Sequence, residues 1–270
     1  MVLLWRAALV VAALLGVAPA FAAPFTPKGD SEVVEKLPLA TDPSARRVDS
    51  LRKQLAARPT DAALRIEIAR RYFDLAMAQG DPRLIGYASA ALAPIAATSQ
   101  DNSSYWIALG LIQQYSHDFD HALTSLGRAA QLDPTSPEAP AWRAAIFMVQ
   151  ARYPEAQAEC DKLAPVSTPL FGAGCAAYVR ASSGQLQSAF DALSAAVKAA
   201  PNAEPGLLLW EYTRLGEMAM RLGRKDIAEA YFRNALQLGI TDQFLLGAYA
   251  DFLIAQSRPL EAIKLLEGWE

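Results

Sequence analysis

Few side chains in this chain are equipped for chemistry. Two cysteines, Cys160 and Cys175, and two histidines, His117 and His121, stand in 270 residues. The histidines are four apart with Asp118 and Asp120 between them, a spacing that on one continuous helix could offer two nitrogens to zinc. HDFDHA reads instead as a turn running into a helix, with His117 in the turn, Asp118 at the capping position and Phe119 packing against it. No metal is expected, and His117 and His121 are weak candidates at best. The cysteines bracket the prolines Pro165 and Pro169, and the midpoint between them falls inside that turn. In an antiparallel helix pair their sulfurs would lie at similar heights. Two states stay open: a disulfide, worth ~3 kcal/mol in the chain-entropy model for a loop of about 16 residues, or two small apolar side chains packed unbridged.

An enzyme needs a nucleophile, a base or a carboxylate pair set apart from the structural pattern. Both histidines share one turn, and Glu211, Glu217, Asp226, Glu229 and Asp251 fall at helix-surface positions that suit solubility. Neither a glycine-rich phosphate loop nor a zinc-type cysteine set is present. The sequence is therefore read as non-enzymatic and without cofactor. Its 25 basic and 28 acidic residues, net −3, are scattered and form no stripe for nucleic acid. Arg46-Arg47 and Arg70-Arg71 are isolated pairs, read as solvated helix faces.

The elements that position these residues follow from a repeat. Ala88, Ala122, Ala156, Ala189, Ala228 and Ala262 are separated by 34, 34, 33, 39 and 34 residues. Four residues after each stand Leu92, Leu126, Cys160, Leu193, Phe232 and Leu266, and seven after stand Ile95, Ala129, Leu163, Ala196, Ala235 and Trp269, all apolar. Twelve residues before each come Ala76, Gly110, Ala144, Ala177, Gly216 and Ala250, all small, so that two helices can approach closely; Gly110 is expected to face Ala122. Asp133-Pro134, Ser183-Gly184, Leu222-Gly223 and Ser257-Arg258-Pro259 supply turns. The 39-residue interval is assigned to the longer connection from Pro201 to Pro205 and a longer helix after it. No strand-like alternation of useful length occurs.

The period and the spacing W/Y-x2-L-G/A … A-x3-L/F-x2-A … P resemble the tetratricopeptide repeat. The second unit carries it in Trp106, Leu109, Gly110, Ala122, Leu126, Ala129 and Pro134, and the fifth in Tyr212, Leu215, Gly216, Ala228, Phe232 and Ala235. The third departs most, with Pro140 and Arg143 where the second has Trp106 and Leu109, and its first helix is the least secure. The resemblance implies an all-α, right-handed superhelical solenoid of about six units, near 69–102, 103–136, 137–169, 170–208, 209–242 and 243–270, after a helical lead-in at 48–68. It also implies a concave groove lined by the first helix of each unit. The groove positions correspond here to Phe73, Met77, Ile107, Leu111, Gln114, Tyr115, Met148, Phe171, Tyr178, Trp210, Glu217, Met220, Arg221, Phe244 and Asp251. Such a lining is apolar and aromatic, suited to a peptide segment or amphipathic helix, and lacks the Lys/Asn/Arg pattern of members that clamp a terminal carboxylate. Packing between tightly coiled repeats is the other use of the same residues.

Residues 1–22 resemble a secretory signal peptide: Arg6, an apolar run from Ala7 to Val17, then Ala20-Phe21-Ala22 as the cleavage site. An apolar run of this length falls short of the ~20 residues that span a bilayer. Residues 23–47, rich in proline and charge, read as a flexible linker. Export to the periplasm or beyond is expected. GDPRLIGYASAALAP, HDFDHALTSLGRAAQLDP and LGAYADFL resemble exported bacterial tetratricopeptide-repeat proteins, which implies a scaffold for a segment of another envelope protein. The same resemblance admits a self-associating module of an envelope complex, joined through an uncapped end at 244–269, or an accessory to a membrane metal transporter.

Overall fold

The computed structural model describes residues 29, 43–240 and 242–267. The expected signal peptide, the expected linker up to residue 42 except Gly29, and Trp269 lie outside the described residues. Among those described there are thirteen α-helices and no strand: α1 Pro43–Ala57, α2 Ala62–Gln79, α3 Arg83–Leu92, α4 Ser103–Tyr115, α5 Phe119–Leu132, α6 Glu138–Val149, α7 Tyr153–Leu163, α8 Pro169–Ser182, α9 Leu186–Ala199, α10 Pro205–Arg221, α11 Lys225–Leu236, α12 Gln243–Ala255 and α13 Pro259–Leu266. From α2 onward they form six antiparallel pairs stacked as an all-α solenoid. Short 3₁₀ turns at Ala93–Ile95 and Ala164–Val166, each carrying a proline, tighten the ends of α3 and α7.

Start signals are local. Asp61, Asn102, Thr168, Glu204 and Asp242 each accept a hydrogen bond from the backbone N–H three residues on, opening α2, α4, α8, α10 and α12. Each turn within a pair contains one left-handed residue: Gly80, His117, Ala151, Gly184, Gly223 and Ser257. The reversal needs that conformation whether or not glycine is there to adopt it at low cost. His117, at φ 59°, is thus a backbone element of its turn.

The alanine ladder is the core. All six anchors are buried, as are the small residues twelve positions earlier. A Cβ on Gly110 would come within 2.7 Å of Leu126 Cγ, and one on Gly216 within 2.7 Å of Phe232 Cε1, so the missing side chain is what seats the large residue of the facing helix. Gly110 therefore faces Leu126 as much as Ala122, whose carbonyl oxygen lies 3.4 Å from the same point.

Three expectations are corrected. The first unit begins at Ala62, where Asp61 caps α2, not at residue 69. Residues 43–47, read as linker, are the first turn of α1, which buries Val48 and Leu51 and pairs Arg47 with Glu67 at 2.8 Å. The first helix of the third unit forms in full. Pro140 is its third residue, where no intrahelical N–H is required, and Arg143 replaces leucine by bonding across three helices: to Leu123 O at 2.7 Å and to Glu159 Oε1 at 2.9 Å. Gly127 makes room for that guanidinium, 3.2 Å from where its Cβ would stand. The long interval has the expected origin, since α10 runs to 17 residues.

Candidate partner-binding surface

The first helices of the six units, α2, α4, α6, α8, α10 and α12, bring equivalent residues into columns. The column eighteen before each anchor alanine reads Arg70, Ser104, Glu138, Phe171, Trp210 and Phe244. It is polar in the first three units and aromatic in the last three, and the structure treats the halves differently.

In the first half the column closes on itself. Arg70 donates to both carboxylate oxygens of Glu138, at 2.9 and 2.6 Å, passing over the small Ser104 from the first unit to the third. Beneath the pair, Phe73 meets Trp142 edge-on at 5.7 Å and Tyr115 at 6.4 Å. Phe73, Ile107 and Leu111 are buried in this packing. That corrects their reading as accessible lining: side chains of α2 reach α6 here, and the residues between are interior. Arg70 is likewise no solvated helix charge. Met77 and Tyr115 are half-buried against the same cluster.

In the second half the column is half-buried at Phe171 and open at Trp210 and Phe244, and Tyr178 lies open next to it. Tyr178, Trp210 and Phe244 are 36%, 44% and 51% exposed, yet they are not scattered. The Arg214 guanidinium lies 4.5 Å from the Tyr178 ring centre and 5.4 Å from that of Trp210, and Trp210 meets Phe244 at 5.7 Å. The result is a continuous Tyr178–Arg214–Trp210–Phe244 ladder across three units. An arginine held on aromatic faces is pre-ordered, and large rigid rings offer contact area at little entropic cost. Phe171 and Met220 are half-buried nearby, and Met148 is half-buried against Phe147 and Cys160 in the third unit. Gln243, beside Phe244, donates to the carbonyl oxygen of Met77 at 2.6 Å, so the last unit touches the first.

The acids of this half do not all behave as surface groups. Glu211 is 1% exposed, with Oε2 lacking any hydrogen-bond partner. Its carboxyl occupies space vacated by Gly174, where a Cβ would collide with it. Burial pushes its pKa up to about 7 against the opposing pull of Arg214. Burial also raises Glu217, despite Arg214 and Arg221. Glu229 is the reverse: hydrogen bonds, first from Arg258 and also from Arg233 and Tyr249, hold it down at about 2. Asp226 and Asp251 are exposed, as their positions suggest.

Cys160 and Cys175 are bonded, with Cα atoms 5.6 Å apart. The bridge ties α7 to α8, the joint between the two halves. The histidines are used locally: His117 meets Phe119 edge-on at 5.5 Å, and His121 Nδ1 lies 2.8 Å from the Asp118 carboxylate. Asp118 therefore holds the N-terminal position of α5 while its side chain serves His121 and not the helix backbone. Among the described residues no three His, Cys, Asp or Glu side chains gather as a metal site, and no helix is long and apolar enough to cross a membrane.

Residues 212–238, the end of α10 through α11, match the tetratricopeptide repeat family model. Solved structures share the fold. A tetratricopeptide repeat protein from Parabacteroides merdae is 13% identical, with 83% of this chain and 84% of that one covered and a TM-score of 0.60. PilW, a widely conserved type IV pilus biogenesis factor, is 20% identical over 73% of this chain and 90% of its own, at 0.52. The Cut9–Hcn1 assembly of the APC/C gives 16% identity and 0.59; 83% of this chain is covered but only 42% of that one, so this chain spans about two-fifths of its length. At these identities the likeness is one of fold. No protein of curated function matches the chain.

Proposed function

We propose that this protein is an exported scaffold that holds a peptide segment of another envelope protein on the second half of its concave face. The ladder Tyr178–Arg214–Trp210–Phe244 carries the reading. Three neighbouring aromatics left over a third exposed, with a cation braced among them, are unusual on a surface whose equivalent column in the first half is consumed by packing. Interaction modules of this fold work by presenting such surfaces, and buried aromatic anchors supply most of the affinity of small interfaces. A disulfide at the joint suits an oxidising compartment, which agrees with the leader-like residues 1–22.

Two measurements test the parts separately. N-terminal sequencing of the protein from its own host should begin at Ala23; a chain retaining Met1 in the cytoplasm removes the export claim. Selection of displayed random peptides on the protein should enrich binders whose affinity falls at least tenfold for the Tyr178→Ala, Trp210→Ala, Phe244→Ala variant. Binders that the folded variant retains unchanged would remove the groove.

A further inference from the structure

Arg214 is the one half-buried arginine among the described residues whose guanidinium donates to no protein acceptor. Arg65 and Arg180 reach backbone carbonyl oxygens, Arg224 reaches Gln187, and Arg70, Arg128, Arg143 and Arg258 reach carboxylates. Arg214 has only the ring faces of Tyr178 and Trp210, at 4.5 and 5.4 Å. A ring face attracts the charge, but it does not satisfy the five N–H donors in the guanidinium plane.

Two acids stand three residues to either side on α10, and neither takes those donors. The Glu211 carboxyl is buried in the space left by Gly174, with Oε2 unpartnered. Glu217 is half-buried and makes no hydrogen bond or ion pair with Arg214. Burial raises both carboxyls toward the neutral form, against the pull of Arg214, so the cation at the centre of the ladder is poorly compensated. A guanidinium already half out of water regains more from a carboxylate, which accepts two N–H groups at once, than from a neutral carbonyl. Trp210 and Phe244 offer ring surface to the residues that flank such an acid. A run of acids fits less well: Asp251 is exposed in the next unit and already acts on Glu217 with the same sign, so further carboxylates would meet repulsion there.

We propose that the segment held on this face carries a single side-chain carboxylate, from aspartate or glutamate, that pairs with Arg214 while its apolar or aromatic neighbours lie on Trp210 and Phe244. The inference rests on the scaffold reading and names the chemistry of the segment it holds.

Random peptides displayed and selected on the parent protein supply the probes. Those that depend on Tyr178, Trp210 and Phe244 should share one Asp or Glu beside an aromatic or aliphatic residue. The tightest is then synthesised in two forms, both amidated at the C-terminus, one with its acid and one with Asn or Gln in that place. Both are titrated calorimetrically against the parent and against Arg214→Gln. The form lacking the acid should bind the parent at least about tenfold more weakly, and Arg214→Gln should bind the two forms alike. The comparison of peptides on the parent uses unaltered protein, so it stands even where Arg214→Gln disturbs the rings. Ring-dependent peptides without an acid, or an acid whose replacement changes affinity by less than about twofold, overturn this inference and leave the scaffold reading in place. So does a preference for the acid that persists at full size in Arg214→Gln. A selection that gives no ring-dependent peptide overturns both.

Discussion

The two halves of the first-helix face have the same repeat geometry and opposite fates. In units one to three the inner column is Arg70, Ser104 and Glu138, joined by a bidentate ion pair above a buried Phe73–Trp142–Tyr115 cluster. In units four to six it is Phe171, Trp210 and Phe244; Phe171 is half-buried, while Trp210 and Phe244 stay exposed, with Arg214 held on Trp210 and Tyr178. An aromatic on the first helix of a unit is thus either structure or surface according to its repeat position: Phe73 shares that of the buried Ile107, Gly174 and Thr213, and Trp210 that of the exposed Phe244. Substitution separates the two. Phe73→Ala should cost ~3–5 kcal/mol, as for a buried phenylalanine, while Trp210→Ala should stay within about 1 kcal/mol, as for an accessible side chain. Urea unfolding followed by circular dichroism reads both. Equal losses would erase the distinction between the halves, and in peptide binding the order of the two variants should reverse.

The halves also differ in how their buried carboxylates are satisfied. Burial pushes Glu159 of the third unit up, but hydrogen bonds from Arg143 and Lys162 outweigh it and leave the carboxyl below its ordinary range. Glu211 has no such partners and is raised from 4.5 to about 7. Between those two values the folded chain holds a proton that the unfolded chain has released. Stability from this site is therefore full below pH 4.5 and declines as pH rises to about 7, after which the penalty is constant. Glu211→Gln, which cannot ionise, should match the parent near pH 4.5 and exceed it by on the order of 2–3 kcal/mol at pH 8. Urea midpoints across that range decide it: a difference that does not change with pH would mean the carboxyl is solvated or paired.

Much of this was legible in the sequence. The six-step alanine ladder, the small residues opposite it and the turn spacing specify every helix pair, because each buried position recurs with the period that stacking imposes. Pairing between units was harder to see. Arg70 and Glu138 are 68 residues apart, and adjacent Arg70-Arg71 looks like a solvated pair; the signal lies in the column, where opposite charges two units apart flank a serine. Glu211 could also have been found. Its column holds Tyr105, Ala139, Gly172 and Leu245, all buried, and only Arg71 of the first unit is exposed, so the repeat pattern points to burial for a carboxylate there. The burial of Phe73 was legible in the same way, since Ile107, Gly174 and Thr213 at its repeat position are buried as well; its edge-on contact with Trp142, 69 positions away, was not.

The ion pair offers the finest test of what separates the halves. The Arg70 and Glu138 side chains are 37% and 28% exposed, so solvent screens them and their coupling should be modest, about 1 kcal/mol, helped by bidentate geometry. A double-mutant cycle with Arg70→Ala and Glu138→Ala measures that coupling free of the packing each side chain also makes. It should shrink as salt is raised from 0.05 to about 1 M, where the screening length falls to roughly 3 Å. Coupling that persists in high salt would mean the pair is shielded inside the closed half, and the first three units would then be sealed more tightly than their exposure suggests. Absence of coupling at low salt would mean that aromatic packing alone closes the first half. The polar column would then be a consequence of that packing and no part of its cause.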